Sequence, residues 1–432
     1  MFSVTPGIVA AVLFGTLLFL FLLKVPIAYS MITASLVTLL LCTHTPLQVI
    51  PQRLFIACDS FPFMAVPFFM LAGNLMGGGG ISKRLVRFID TLVGHFPGGL
   101  GIVAIVTSMF FAAISGSGAA TTAAVGAILI PEMVAHKYDR DFSAATCASG
   151  GIIGIIIPPS IPLVTYGVLT GVSISKLFAA GFVPGILMGL GLIVLVIVIS
   201  QKHGYKSDIR YSAKDRLLAL KDAALAILMP VIVLGGIYLG YFTPTEAAVI
   251  SCVYGFIIGF FVYRTLDRHN ILKILRDSAI SSAGILILIA GASLFGWILT
   301  SNRIPDLLAN LILSITNSKV MILLLINILL LISGAFMDTV ASLIILVPIL
   351  LPVITALGIS PIHFAFIMCV NLAIGMITPP FGACLFVGCS VAGITLEQIV
   401  KRILPFIIVL IGITLIITFV PWFSTCITNL MA

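Results

Sequence analysis

Asp338 lies amid apolar sequence, where a carboxylate is costly unless a cation or a hydrogen-bond donor meets it. Shifted back by 221 residues, its position is that of Ser117, in the run SGSG that begins at Ser115. Two runs in which a glycine precedes a proline pair share that offset: Gly154 with Pro158 and Pro159, and Gly375 with Pro379 and Pro380. Proline removes a backbone donor and clashes with the carbonyl one turn earlier, so each run frees carbonyl oxygens. Freed carbonyls, serine and threonine hydroxyls and one carboxylate are hard oxygen ligands, suited to a small alkali cation. Helix N-termini beside the same gaps carry partial positive charge and free amides, which suit an anion. A Gly-Ser-Gly run alone more often marks close helix packing than ligation. Its match to Asp338 at the symmetric position is what makes it a candidate.

These groups need unwound chain to hold them. In hydrocarbon an unpaired backbone group costs several kcal/mol, so unwound chain survives only inside protein or along a cavity. Residues 98–131 hold two apolar segments of about 15 residues joined by SGSGAATT, each too short to cross a bilayer. They predict a re-entrant hairpin, repeated at 319–352. Residues 142–170 and 361–391 predict spans broken at the proline pairs. The predicted gaps are therefore two tips (115–118, 334–338) and two breaks (157–159, 378–380). The 221-residue shift also aligns Pro131 with Pro352, Gly167 with Gly388 and Pro184 with Pro405. Fixed-offset glycine and proline punctuation is hard to obtain by chance, so the chain is a duplication. One tip paired with one break gives one cation site, and the repeat predicts two.

The 432 residues are 61% hydrophobic and 8% charged, against roughly a quarter charged in a soluble domain. A water-soluble fold is excluded, and the recurrent long apolar runs predict an all-α polytopic membrane protein. Residues 1–80 carry spans at 4–23, 26–42 and 60–77, and 81–97 predict an amphipathic surface helix. The transport elements of the first half occupy 98–200 and end in a span at 176–200. Residues 201–217 form a polar cytoplasmic connector. The second half repeats the order: spans at 218–240, 245–263 and 279–299 within 218–300, then 301–432 with a surface segment (301–317), the hairpin, the broken span and a last span at 397–423. Five crossings plus one hairpin per half force the halves into opposite orientations, the inverted-repeat plan of secondary transporters.

The formal net charge of +8 is scattered over short loops, which argues against nucleic acid. With the amino terminus outside, only Arg53, Lys176, Arg303 and Lys319 of the 22 basic residues face outward, leaving 18 inside. That split follows the positive-inside bias and puts both termini in the periplasm. Glu246, near the start of its span, is expected to reach the headgroups, and Asp59, His95 and His363 to be interfacial. The eight cysteines form no CxxC pair or metal-ligand spacing and are expected as small core residues.

The stretches SGSGAATTAAVGAILIPEM, GIIIPPSIPLVTYGVLTGVSISKLFAAGFVPG, YFTPTEAA, GAFMDTVASLIILVPILLP and GMITPPFG together resemble the large membrane subunit (M, or DctM-like permease) of tripartite ATP-independent periplasmic (TRAP) transporters. The resemblance implies an elevator-type transporter of the bacterial inner membrane, driven by a sodium gradient and holding no cofactor. It also implies a small four-helix membrane subunit (Q), expected as a separate chain, and a soluble periplasmic binding protein (P) that delivers a carboxylate such as sialic acid or a C4-dicarboxylate. Carried onto this sequence, the first sodium site would use Ser115, Ser117, Gly154, Ile157 and Pro159. The second would use Gly334, Asp338, Gly375 and Thr378. The substrate would lie between the tips, near Thr121, Thr122, Ser160, Thr165 and Tyr166. No arginine or lysine is predicted at the midplane, so amides, hydroxyls, helix ends and sodium itself must hold the anion.

A stand-alone sodium/dicarboxylate or arsenite-type anion transporter shares this hairpin architecture and is the alternative within transport. A passive channel would show uptake indifferent to the sodium gradient. An intramembrane serine protease would need a base beside Ser115 or Ser117, and no histidine is predicted at tip depth. The chain is therefore expected not to be an enzyme.

Overall fold

A computed structural model describes residues 5–43, 45–205, 211–305, 307 and 318–431. Most of the surface segment at 301–317, and Lys206 and Arg210 of the connector, lie outside the described residues. Among the described residues every regular element is helical, and nine helices are long and apolar enough to cross a membrane.

The first half begins with α1 (Pro6–Leu22), α2 (Ile27–Cys42), a short α3 (Val49–Cys58) and α4 (Ala65–Gly78). Gly80, at φ 72°, turns the chain into the amphipathic α5 (Ile81–Val93), whose Ile81, Leu85 and Ile89 are buried one turn apart. The hairpin is α6 (Gly99–Ser115) and α7 (Gly118–Ala135). The broken span is α8 (Arg140–Gly151) and α9 (Ile161–Thr170), and α10 (Ile174–His203) closes the half. The second half runs α11 (Ala213–Tyr238), α12 (Pro244–Ile257), α13 (Arg268–Ser301), the hairpin α14 (Lys319–Phe336) and α15 (Thr339–Ala356), then α16 (Pro361–Gly375), α17 (Ala383–Ala392), α18 (Leu396–Phe419) and a terminal α19 (Trp422–Leu430).

The duplication reaches individual helix ends. The first hairpin helix stops at Ser115 and its counterpart at Phe336, the second helices stop at Ala135 and Ala356, and the broken spans start at Arg140 and Pro361. Each pair is separated by 221 residues.

Several boundaries differ from those expected. Both hairpins extend a turn past Pro131 and Pro352, because a proline near a helix end forfeits only one hydrogen bond and Met133 and Val353 are buried beyond it. The third span of the second half starts at Arg268 rather than 279, since Asp267 caps it by accepting the Asn270 N–H at 2.7 Å. Ser212 and Asp215 form a capping box that starts α11 inside the expected connector. Of the cysteines, Cys58 is exposed rather than in the core.

Glu246 and His363 both have partners that fix them at the starts of their spans. Glu246 Oε2 accepts from the Thr243 backbone N–H and hydroxyl, both at 2.8 Å, in a capping box that opens α12. Thr243→Ala is expected to lower stability by about 1 kcal/mol, and Glu246→Gln to leave uptake unchanged. Thermal unfolding and a transport assay on the two variants check this. His363, near the start of α16, is buried within the protein: its Nδ1 lies 2.6 Å from Ser424 Oγ and its Nε2 3.2 Å from the Thr418 carbonyl oxygen, beneath α19.

Helices α1–α4 and α11–α13 pack together, with α4 on α12 and α2, α3 and α4 on α13. The hairpins and broken spans interlock: α17 lies against α7 and α8, and α15 against α9. Polar contacts sort the loops onto two faces. On one, Arg84 of α5 pairs with Asp222 at 3.2 Å and stacks over Tyr263. There too Gly98 N–H donates to the Tyr205 carbonyl, Asp139 N–H to the Tyr205 hydroxyl, and Arg402 pairs with Asp139 (2.7 Å) and Asp141 (3.2 Å). At the other end of α4, Thr245 donates to the Phe61 carbonyl, Arg53 lies 5.3 Å from the Trp297 ring centroid, and Tyr166 donates to the Pro361 carbonyl.

Candidate functional site

The first tip forms because Gly116 ends α6 at φ 60°, a backbone conformation costly for other residues. Ser117 then caps α7, its hydroxyl accepting from the Ala120 N–H at 3.5 Å. Thr121, one turn on, donates to the Ser117 carbonyl at 2.8 Å and lies 2.8 Å from Ser115 Oγ. Two hydroxyls and a carbonyl thus converge, and Gly154 packs against them. A Cβ there would fall 2.7 Å from Thr121 Oγ1 and 2.8 Å from the Ser117 oxygen. The break reaches the same tip: Ile161 N–H donates to the Gly116 carbonyl at 3.2 Å, and a Cβ on Gly116 would lie 2.8 Å from the Pro159 oxygen. Ile157 is buried with its side chain against Gly185 of α10.

The second tip repeats the plan with a charge. Asp338 caps α15, its Oδ2 accepting from the Val340 N–H at 2.9 Å. Gly334 meets Gly375 backbone to backbone: a Cβ on Gly375 would fall 2.5 Å from the Gly334 oxygen. Phe381 N–H donates to the Ala335 carbonyl at 3.3 Å, as Ile161 does to Gly116. Thr378 donates to the Ile374 carbonyl at 2.8 Å and sits at the start of the break. Ser342, 221 residues after Thr121, receives a hydrogen bond from Ser333 at 3.1 Å across the hairpin. Sequence reasoning placed Thr121 only near substrate and omitted Ser342, although the repeat offset points to both.

The two gaps differ in access. Ser115 is 1% exposed and Ser160 fully buried, whereas Asp338 is exposed between Phe336 and Phe381, which are 58% and 62% exposed. The units share a wall, because a Cβ on Gly118 of the first tip would lie 3.1 Å from Cys384 Sγ and 3.3 Å from Met376 of the second break.

The residues expected near substrate are all buried. Thr122 donates to the Gly118 carbonyl and Thr165 to the Ile161 carbonyl, both within their helices. Ser160 caps α9, donating to the Ile155 carbonyl at 2.6 Å and accepting from the Leu163 N–H. The Tyr166 hydroxyl is engaged by the Pro361 carbonyl at 2.7 Å, so it ties the halves together. No lysine or arginine occurs between Arg87 and Lys137, between Arg140 and Lys176, or between Lys319 and Lys401.

Interlocked hairpins and broken spans with oxygen-lined gaps define a polytopic helical membrane protein. Residues 14–423 match the family described as the DctM component of the tripartite ATP-independent periplasmic transporter, and the chain belongs to that family. It is 38% identical to the sialic acid TRAP transporter large permease SiaM of Vibrio cholerae, over 97% of this chain and 98% of that one. To the C4-dicarboxylate large permease DctM of Pseudomonas aeruginosa it is 40% identical, over 96% and 99%. To the isethionate TRAP transporter permease DctMQ of Oleidesulfovibrio alaskensis it is 46% identical over 95% of this chain, which spans 65% of that longer protein. Its fold is similar to that of the Alcanivorax borkumensis YdaH transporter, with a TM-score of 0.63 at 15% identity, over 86% and 87% of the two chains.

Proposed function

We propose that this large permease carries a small organic acid across the bacterial inner membrane by sodium symport, with its two halves inverted and the interlocked hairpins moving against α1–α4 and α11–α13. The observation that carries the reading is the packing of each tip on the break of its own half, which gathers hydroxyl, carbonyl and carboxylate oxygens with no cationic side chain. Sodium binds at Ser115, Ser117, Gly154, Ile157 and Pro159, joined by Thr121, and again at Gly334, Asp338, Gly375 and Thr378. The anion binds at the shared wall beside Thr122 and Ser160, in the field of the α7, α9 and α15 N-termini. Thr165 and Tyr166 hold the frame around it. Relatives named for isethionate, sialic acid and C4-dicarboxylates favour a small organic anion as cargo. The chain works with a small membrane subunit and a periplasmic binding protein.

The test is reconstitution with those two partners and a screen of labelled organic acids under an inward sodium gradient. Uptake of one such acid is expected, with near-complete loss when potassium replaces sodium. Accumulation that ignores sodium would sink the coupling, and full uptake without the binding protein would favour a stand-alone anion transporter.

A further inference from the structure

On the face marked by Arg84, a cavity of about 510 Å³ lies between α5, the first hairpin and α11. Lys83, Arg84 and Arg87 of α5 reach it, as do Asp90, Glu132 and Asp222. Several of these charges are already engaged. Arg84 holds Asp222 and lies 3.5 Å from the Tyr263 ring centroid, and Asp90 Oδ2 accepts the Tyr211 hydroxyl at 2.5 Å. That leaves Lys83 and Arg87, one turn apart, and Glu132 across from them on α7. All three are exposed, and among the described residues none has an ion-pair partner. Behind them the wall is apolar, made by Leu100 and Ile128 of the hairpin.

Two cations, one carboxylate and an apolar wall, beside an amphipathic helix of a membrane protein, describe a zwitterion with a hydrocarbon tail. We propose that this cavity binds the headgroup of a primary-amine phospholipid, its phosphate on Lys83 and Arg87 and its ammonium on Glu132. The donor set sets the selectivity. A quaternary ammonium offers the Glu132 carboxylate no N–H to accept, and a purely anionic headgroup brings it a like charge. Because Lys83 and Arg87 belong to the surface helix and Glu132 to the hairpin, the bound lipid joins these two elements.

The test is native mass spectrometry of the full-length chain in detergent, with equal amounts of dioleoyl phosphatidylethanolamine, phosphatidylglycerol and phosphatidylcholine. Free phosphoethanolamine and inorganic phosphate are run as separate arms. Phosphatidylethanolamine is expected to be retained best, and Lys83→Ala with Arg87→Ala to weaken retention about fivefold per cation removed. Glu132→Gln, close in shape to the native residue, should erase the preference for phosphatidylethanolamine over phosphatidylglycerol while leaving the melting temperature in place. It decides the matter alone if the double alanine variant does not fold. Equal retention of phosphatidylglycerol by the unaltered chain, unchanged retention in the variants, or equal occupancy by the free phosphates would overturn the proposal.

Discussion

Asp338→Ala is expected to cut sodium-coupled uptake about a hundredfold at sodium concentrations below saturation, with insertion and assembly intact. The size follows from the chemistry of a charged ligand: losing an interaction with an ionised group costs up to about 3 kcal/mol, a factor of about a hundred in affinity. Raising sodium should therefore recover part of the uptake, since the defect lies in binding. Asp338 also caps α15, so alanine removes a cap as well as a charge, and lost caps cost about 1 kcal/mol. Asp338→Ser separates the two effects. Serine is a good cap and already stands at the equivalent place, Ser117, in the first half. If the carboxylate is a sodium ligand, the serine variant unfolds like the unaltered protein yet still loses uptake. Full sodium-coupled uptake by that variant would remove Asp338 from the site.

The symmetric counterpart should behave differently. Ser117 is half-buried and contributes a neutral oxygen to a tip where Thr121 and Ser115 already hydrogen-bond. Asp338 stands in the open gap, beside exposed aromatic rings whose centroids are 6.3 Å apart. On the proposed reading, the open tip is where a charge matters most, because a cation arriving from water there needs compensation for its lost hydration. The first tip already has its dipoles in place.

The places where the chain stops being helical were legible because glycine and proline act locally. Gly116 and the two proline pairs impose their geometry whatever surrounds them, and a 221-residue echo of such residues survives in the helix ends. What the sequence hid was long-range. Nothing near Tyr166 signals that its hydroxyl reaches the start of α16, 195 residues away. Nothing near Arg402 signals that it meets Asp139 and Asp141 in the other half. His363 opens a span, and nothing near it signals that the return of α19 buries it. Thr121 is a subtler case: composition says only that it is a hydroxyl one turn into a helix, and its role at the tip depends on where Ser115 ends up. Glu246 was different again, since Thr243 three residues earlier is the visible half of a capping box.

Gly375→Ala is the second large expectation. The last turns of α14 and α16 meet with no side chain between them, so a new methyl at Gly375 would press into the Gly334 carbon atoms and come within 2.5 Å of its oxygen. Backbone on both sides cannot swing away as a side-chain end can. Overpacking of this kind costs about 3 kcal/mol or more, and the relief available is separation of tip from break. Uptake is then expected to be lost, and the melting temperature to fall. Gly154→Ala tests the first unit more gently, because one of its two close neighbours is the Thr121 hydroxyl, which can rotate. It should weaken sodium dependence while the protein stays folded. Gly412→Ala, where an added Cβ meets nothing within 4 Å, should be neutral or slightly stabilising, since alanine favours helix by about 1 kcal/mol over glycine. Titrating uptake against sodium in the three variants orders them as Gly412, Gly154, Gly375 from least to most damaged. Unaltered sodium dependence in Gly375→Ala would mean that tip and break need not touch for transport, and the paired-gap account of the cation sites would fall with it.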